Sequence, residues 1–149
     1  MDKIDRAILL LLQKSGRISN ANLAAEVSLS PSPCLRRVRM LEQAGVIRGY
    51  HAEIDPAAIG RGFQVLVYAN MMVKDQKTIE AFEAEIVCLE EVVECRRMFG
   101  DPDYLIWVAT TDAESYERFY MTHLTNLPGV ARMNSQFTMK VIKPNRGWL

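Results

Sequence analysis

No stretch of this sequence reaches the roughly 18 to 20 consecutive apolar residues that a membrane-crossing helix requires. Glycine (8) and proline (6) are too scarce in 149 residues for a linker-like or collagen-like chain. Cysteine is limited to Cys34, Cys88 and Cys95. The odd count and the lack of a Cys-x-x-Cys pair argue against a disulfide framework. The only histidines, His51 and His123, sit near no plausible ligand set, so no metal site is expected and three reduced thiols are. The opening Met-Asp-Lys-Ile-Asp places acids where a signal peptide would carry a basic and then an apolar segment. The expected compartment is the cytoplasm, with no membrane partner.

What remains is a globular composition, 49% hydrophobic and 24% charged, long enough for one ordinary core or two small ones. There is no net charge, yet its parts are unevenly distributed. Residues 1–49 hold eight bases against four acids, a net +4, which leaves −4 for residues 50–149. That is the pattern of a basic module joined to an acidic body.

Three capped helices fit the first fifty residues. Ile4, Ala7, Ile8, Leu11 and Leu12 form one helical stripe over 3–14, with Asp2 as cap and Asp5 near the positive helix end. Ser19 caps a short second helix that reaches Glu26 or Val27, with Ile18 and Leu23 spaced as a hydrophobic staple. After a turn at Ser28-Leu29, Ser30 caps a third helix. Its Pro31 and Pro33 fall where a backbone N–H has no intrahelical partner to lose. Leu29 and Cys34 repeat the staple, Cys34, Val38 and Leu41 point inward, and Gly45 ends the helix. Two helices joined by so short a turn cross steeply, as in a helix-turn-helix.

The outward face of the third helix carries the chemistry. Ser32, Arg36 and Arg39 lie at i, i+4 and i+7, and Arg37 about 100° around from Arg36. Guanidinium groups pair with guanine or clamp phosphates in a major groove, and a helix N-terminus favours phosphate. Arginines also solubilise ordinary surface helices; the preceding capped helix tips the reading toward double-stranded DNA. The candidate DNA-binding residues are Ser30, Ser32, Pro33, Arg36, Arg37 and Arg39.

Residues 50–62 read as an extended linker broken between Pro56 and Gly62. The remainder reads as six elements in the order βαββαβ. The strands are expected over 63–73, 92–99, 104–110 and 130–142, and the first helix over 76–88. Asp112 caps the second helix, and Gly100-Asp101-Pro102-Asp103 suits a type I turn between the middle strands. Right-handed crossovers make this an antiparallel four-stranded sheet with both helices on one face. The first strand reads as buried on both faces, so a second subunit is expected to cover the open side. In the last strand Ala131, Met133, Ser135, Phe137 and Met139 are expected toward the helices, leaving Asn134, Gln136 and Thr138 on the open face.

Several of these segments, in this order, resemble the leucine-responsive/asparagine (Lrp/AsnC) regulator family. They are Asp2-Lys-Ile-Asp5, Gly16-Arg-Ile-Ser19, Leu29-Ser-Pro-Ser-Pro-Cys34, Arg37-Val38, Leu41-Glu42, Gly45-Val-Ile47, Gly100-Asp-Pro-Asp-Tyr104 and Leu127-Pro-Gly-Val130. The resemblance implies an α+β protein: a three-helix DNA-binding domain over 1–49, the 50–62 linker, and a ferredoxin-like effector-binding and oligomerisation domain over 63–149. It further implies homodimers that assemble into octamers, and transcription controlled by a bound amino acid. It places the effector between subunits near Gly100, Asp101 and Asp103, with further contacts on the last strand at Asn134, Gln136 and Thr138. Glycine lets backbone groups approach such a ligand, and the aspartates accept hydrogen bonds from its ammonium. Two rival readings are weaker. A small isomerase or oxygenase would need a convergent acid-base set, which the sequence lacks. A sensing partner that has lost DNA binding would not need Arg36, Arg37 and Arg39.

Overall fold

A carboxylate at residue 2 starts the first helix. In the computed structural model, which describes residues 1–143, Asp2 accepts from the Asp5 amide while Asp5 accepts from the Asp2 amide, a reciprocal capping box. Helix α1 then runs Lys3–Lys14, α2 Asn20–Glu26 from the Ser19 cap, and α3 Pro31–Gln43. Ile8, Leu23, Ala24, Cys34, Val38 and Leu41 make one small core, with the staple residues Ile18 and Leu29 packed against it. Gly45, at φ 69, ends α3 as a Schellman motif: the Val46 amide donates to Leu41 and the Gly45 amide to Glu42, both at 2.9 Å.

The described chain divides into two units, Met1–Glu53 and Ile54–Ile142. The segment expected as an extended linker therefore splits between them. Tyr50 donates to Glu42 on α3 at 2.9 Å, so the chain as far as Glu53 belongs with the helices. Beyond it, Ala57–Ile59 forms a 3-10 turn within the stretch where the break was expected, because Pro56 presets its backbone and Asp55 accepts from the Ala57 amide.

The second unit contains β1 Phe63–Met71, α4 Gln76–Ile86, β2 Val92–Arg97, β3 Tyr104–Thr110, α5 Ala113–Thr122 and β4 Val130–Phe137. The strands pair antiparallel in the order β2-β3-β1-β4. One core takes Val65, Val67, Ala69 and Met71 from β1 and Tyr104, Ile106 and Val108 from β3. Phe82 and Ile86 of α4 and Tyr116 and Phe119 of α5 join the same core, so both helices cover one sheet face. Phe82 is wholly buried, with its ring 4.4 Å from that of Tyr104. Burial of one such side chain contributes about 1.5–3 kcal/mol.

Strand β1 alternates: its odd-numbered residues from Val65 are buried, while Leu66, Tyr68 and Asn70 are only half covered, so within one chain it is not buried on both faces. Strand β4 stops at Phe137, short of residue 142, because its partner β1 begins at Phe63 and pairing ends there. Ala131 is the extra residue of a bulge, since Asn70 faces Arg132 but Met71 faces Val130. Val130, not Ala131, therefore packs on the core, whereas Ser135 meets Tyr116 of α5 as expected. The last six residues of the expected 63–149 domain lie outside the described residues.

Candidate nucleic-acid interface and effector site

The turn between α2 and α3 is fixed locally. Ser28 takes φ 55, the Leu29 amide donates to Ala24 at 2.9 Å, and Asn20 Nδ2 donates to the Pro31 carbonyl at 2.9 Å. Ser30 occupies the cap position, but its hydroxyl makes no cap hydrogen bond. Pro33 removes the N3 amide, one of the two that such a cap could bind, and the N2 amide of Ser32 is not used. Ser30, Ser32 and Pro33 stay exposed at the helix start. The Cys34 amide donates to Ser30, so the amide of Ser32 is what this N-terminus can offer a phosphate.

Ser32, Arg36 and Arg39 share one face with Leu35 and Gln43, at i, i+3, i+4, i+7 and i+11, and with Met40 they line a shallow groove. Arg36 and Arg39 are exposed and form no ion pair among the described residues. Arg37 differs. Its Nη1 lies 2.7 Å from both Asp2 Oδ2 and Asp5 Oδ1, which clamps α3 to the capping box of α1. Hydrogen bonds to Asp5 and then Asp2 raise its pKa further above its ordinary value. The Asp5 amide, followed by Arg37, holds Asp2 below its ordinary 3.8. A lowered carboxyl stabilises above its unfolded value and loses that contribution as pH falls through the folded one. The clamp therefore persists at neutral pH and is released only in acid.

The Gly100–Asp103 turn closes on one end of the sheet. Gly100 has φ 131, in the region that favours glycine, and the Asp101–Pro102 peptide is cis, which the expected type I turn does not contain. Asp101 Oδ1 accepts from Asn70 Nδ2, whose carbonyl oxygen accepts from Arg132 at 3.4 Å. Asp103 is already committed: Oδ2 accepts from the Met71 amide at 2.8 Å, and Oδ1 lies 2.6 Å from Lys74 Nζ. Lys74 first and then the Met71 amide hold the Asp103 carboxyl below its ordinary value. Beside this polar cluster Phe99 is fully exposed. We expect Asp103→Ala to leave the buried Met71 amide unpaired at a cost of about 1–3 kcal/mol, read as a lower melting temperature without any ligand. An unchanged melting temperature would dissolve this structural role.

The six expected effector residues do not form one cluster within a chain. Gly100, Asp101 and Asp103 come together with Asn70, Lys74 and Arg132, which the sequence reading did not select. Asn134 lies opposite Tyr68, Gln136 opposite Leu66, and the Thr138 amide donates to Gln64 at 3.0 Å. At about 3.4 Å per residue, Thr138 is roughly 20 Å along the sheet from Asn70. The alternation of β4 already put Arg132 in register with Asn134 and Gln136. Asn70 and Lys74 gave no signal, since one ends an apolar strand and the other stands in a loop.

Two family models together span nearly the whole chain. One described as winged helix-turn-helix DNA-binding matches residues 1–48, and one described as Lrp/AsnC ligand binding domain matches residues 64–148. The leucine-responsive regulatory protein of Haemophilus influenzae is 39% identical over 143 residues, covering 96% of this chain and 86% of its own. That of Salmonella typhimurium is 40% identical, with 96% and 87% covered. Among solved structures, a Neisseria meningitidis transcriptional regulator in complex with L-Met superposes with a TM-score of 0.92 at 37% identity, covering 97% of this chain and 93% of its own. An AsnC family transcriptional regulator from Agrobacterium tumefaciens gives 0.91 at 35% identity, covering 97% and 94%.

Proposed function

Since the chain belongs to the Lrp/AsnC family of DNA-binding transcription regulators, we propose that α3 reads duplex DNA and that an amino acid bound beside the Gly100–Asp103 turn modulates that binding. The protein is a regulator with a ligand-binding domain and not an enzyme. The observation that carries the DNA assignment is the α3 face: Arg36 and Arg39 exposed without ion pairs among the described residues, following the short turn from a capped α2. Arg36, Arg39 and Ser32 contact the duplex, Ser30 and Pro33 lie at the start of that face, and Arg37 holds the helix in position.

The effector is an amino acid. Its ammonium goes to Asp101, because Asp103 is occupied by Lys74 and the Met71 amide. Its carboxylate goes to Arg132, with Asn134 and Gln136 completing the wall. Two chains associate through the open sheet face, where Leu66 faces Trp107 and Tyr68 faces Leu105 across β1 and β3. Such dimers assemble further into octamers, and the protein acts in the cytoplasm alongside its DNA. Among the described residues no helix is long and apolar enough to cross a membrane. Ligand at a subunit boundary alters the assembly or the spacing of paired recognition helices, and operator half-sites must match that spacing.

Thermal unfolding of one sample with each of the twenty amino acids tests the effector assignment. A ligand that binds only the folded state raises the melting temperature as its concentration passes its affinity. One amino acid is expected to do so, and Asp101→Ala is expected to abolish that shift while DNA binding without ligand persists. No shift with any amino acid at millimolar concentration would overturn the effector reading and leave the DNA reading standing.

A further inference from the structure

Leu35 is the member of the α3 face that DNA binding by arginine does not explain. It is 39% exposed, whereas Leu41 on the same helix is 7% exposed and packs in the core. It lies one turn after Ser32 and one turn before Arg39, adjacent to Arg36, and lines the same groove as all three. A single exposed leucine is ordinary on a protein surface. Its placement is not: it is interleaved with two arginines that have no ion-pair partner among the described residues. An apolar protein partner seated here would bury both guanidiniums. A polyanion suits them, and the +4 charge of residues 1–49 favours the same choice. Inside a major groove the one apolar group that a side chain can meet is the thymine C5 methyl.

We propose that Leu35 is a specificity residue that packs its isobutyl group on the methyl of a thymine neighbouring the base contacted by Arg36. This rests on the DNA-reading role of α3. It adds a requirement that arginine contacts alone do not impose: each half-site carries a thymine whose methyl group, and not only its pairing edge, is read. Arg36 fixes the register through hydrogen bonds, and Leu35 rejects cytosine at the next position because cytosine presents a donor and no methyl.

The test uses the full chain and a duplex selected by it from a random library. Each dT of that duplex is replaced singly by dU, which removes the methyl and keeps the pairing. One position per half-site is expected to weaken binding about fourfold, the worth of one buried methyl-sized group. Leu35→Ala is expected to bind more weakly overall and to show no further loss at that position, while Leu35→Met, which retains an apolar contact, keeps the sensitivity. Leu35 is outside the core, so neither variant removes a core contact. If Leu35→Ala loses as much as the parent protein at every dU position, or if no position matters to the parent, the inference is wrong. If no duplex is selected at all, the DNA reading itself fails and this inference with it.

Discussion

Arg36→Ala weakens binding to a selected operator by about fivefold to 150-fold, the worth of roughly 1–3 kcal/mol for a lost guanidinium–base contact. The chain still assembles and unfolds as before, because Arg36 is exposed and makes no ion pair among the described residues. Arg39→Ala behaves alike. Arg37→Met behaves differently, although it stands in the same run of arginines. It releases Asp2 and Asp5, so the helical unit unfolds at a slightly lower temperature, as expected for a solvent-screened ion-pair network. Its DNA affinity falls less than that of Arg36→Ala. A fluorescence anisotropy titration and a thermal melt on all three variants separate the roles. An Arg36→Ala protein that keeps full affinity, or that no longer assembles, would contradict the assignment of that side chain to DNA.

Trp107→Glu splits the assembly. Trp107 pairs with Leu66 on the sheet face that neither helix covers, beside Tyr68 and Leu105. An apolar face of this kind marks a site of association, and the proposed dimer covers it with a second copy. A carboxylate at its centre, desolvated without a partner, costs more than the contact returns. Sedimentation is expected to show a 16.9 kDa species for the variant and at least twice that for the parent. Val87→Glu makes the same charge change at an exposed residue after α4 and is expected to leave the assembly intact. Since paired half-sites are read by paired helices, the monomer also loses the 10²- to 10⁴-fold gain of linked binding. A Trp107→Glu protein of unchanged mass would mean that subunits meet elsewhere.

Features set by neighbours in sequence were legible, and features set by distant partners were not. The starts of α1 and α2 follow from Asp2 and Ser19, because a cap acts on residues two or three positions away. Strand β3 likewise matches its expected bounds, held between the Gly100–Asp103 turn and the Asp112 cap. The bulge at Ala131 was invisible because it is a property of pairing with β1, some sixty residues earlier. The Arg37 clamp and the Lys74–Asp103 pair join residues about thirty apart, so a run such as Arg36-Arg37 gave no sign that its members have different work. The Ser30 hydroxyl makes no cap bond, and the missing N3 amide of Pro33 was on view. The effector residues were half legible: the turn gathers Gly100, Asp101 and Asp103, but the partners on β1 and β4 depend on register.

This chain is expected to bind a particular DNA sequence and to change that binding when an amino acid is present. The most direct test is a titration of a labelled, library-selected duplex with the full chain, with and without the amino acid that raises the melting temperature. The expected result is at least about a thousandfold preference over a scrambled duplex at physiological salt and a displaced binding curve when the amino acid is present. Equal affinity for the selected and scrambled duplexes would contradict sequence-specific recognition by α3, and superimposable curves with and without the amino acid would contradict its control by the effector.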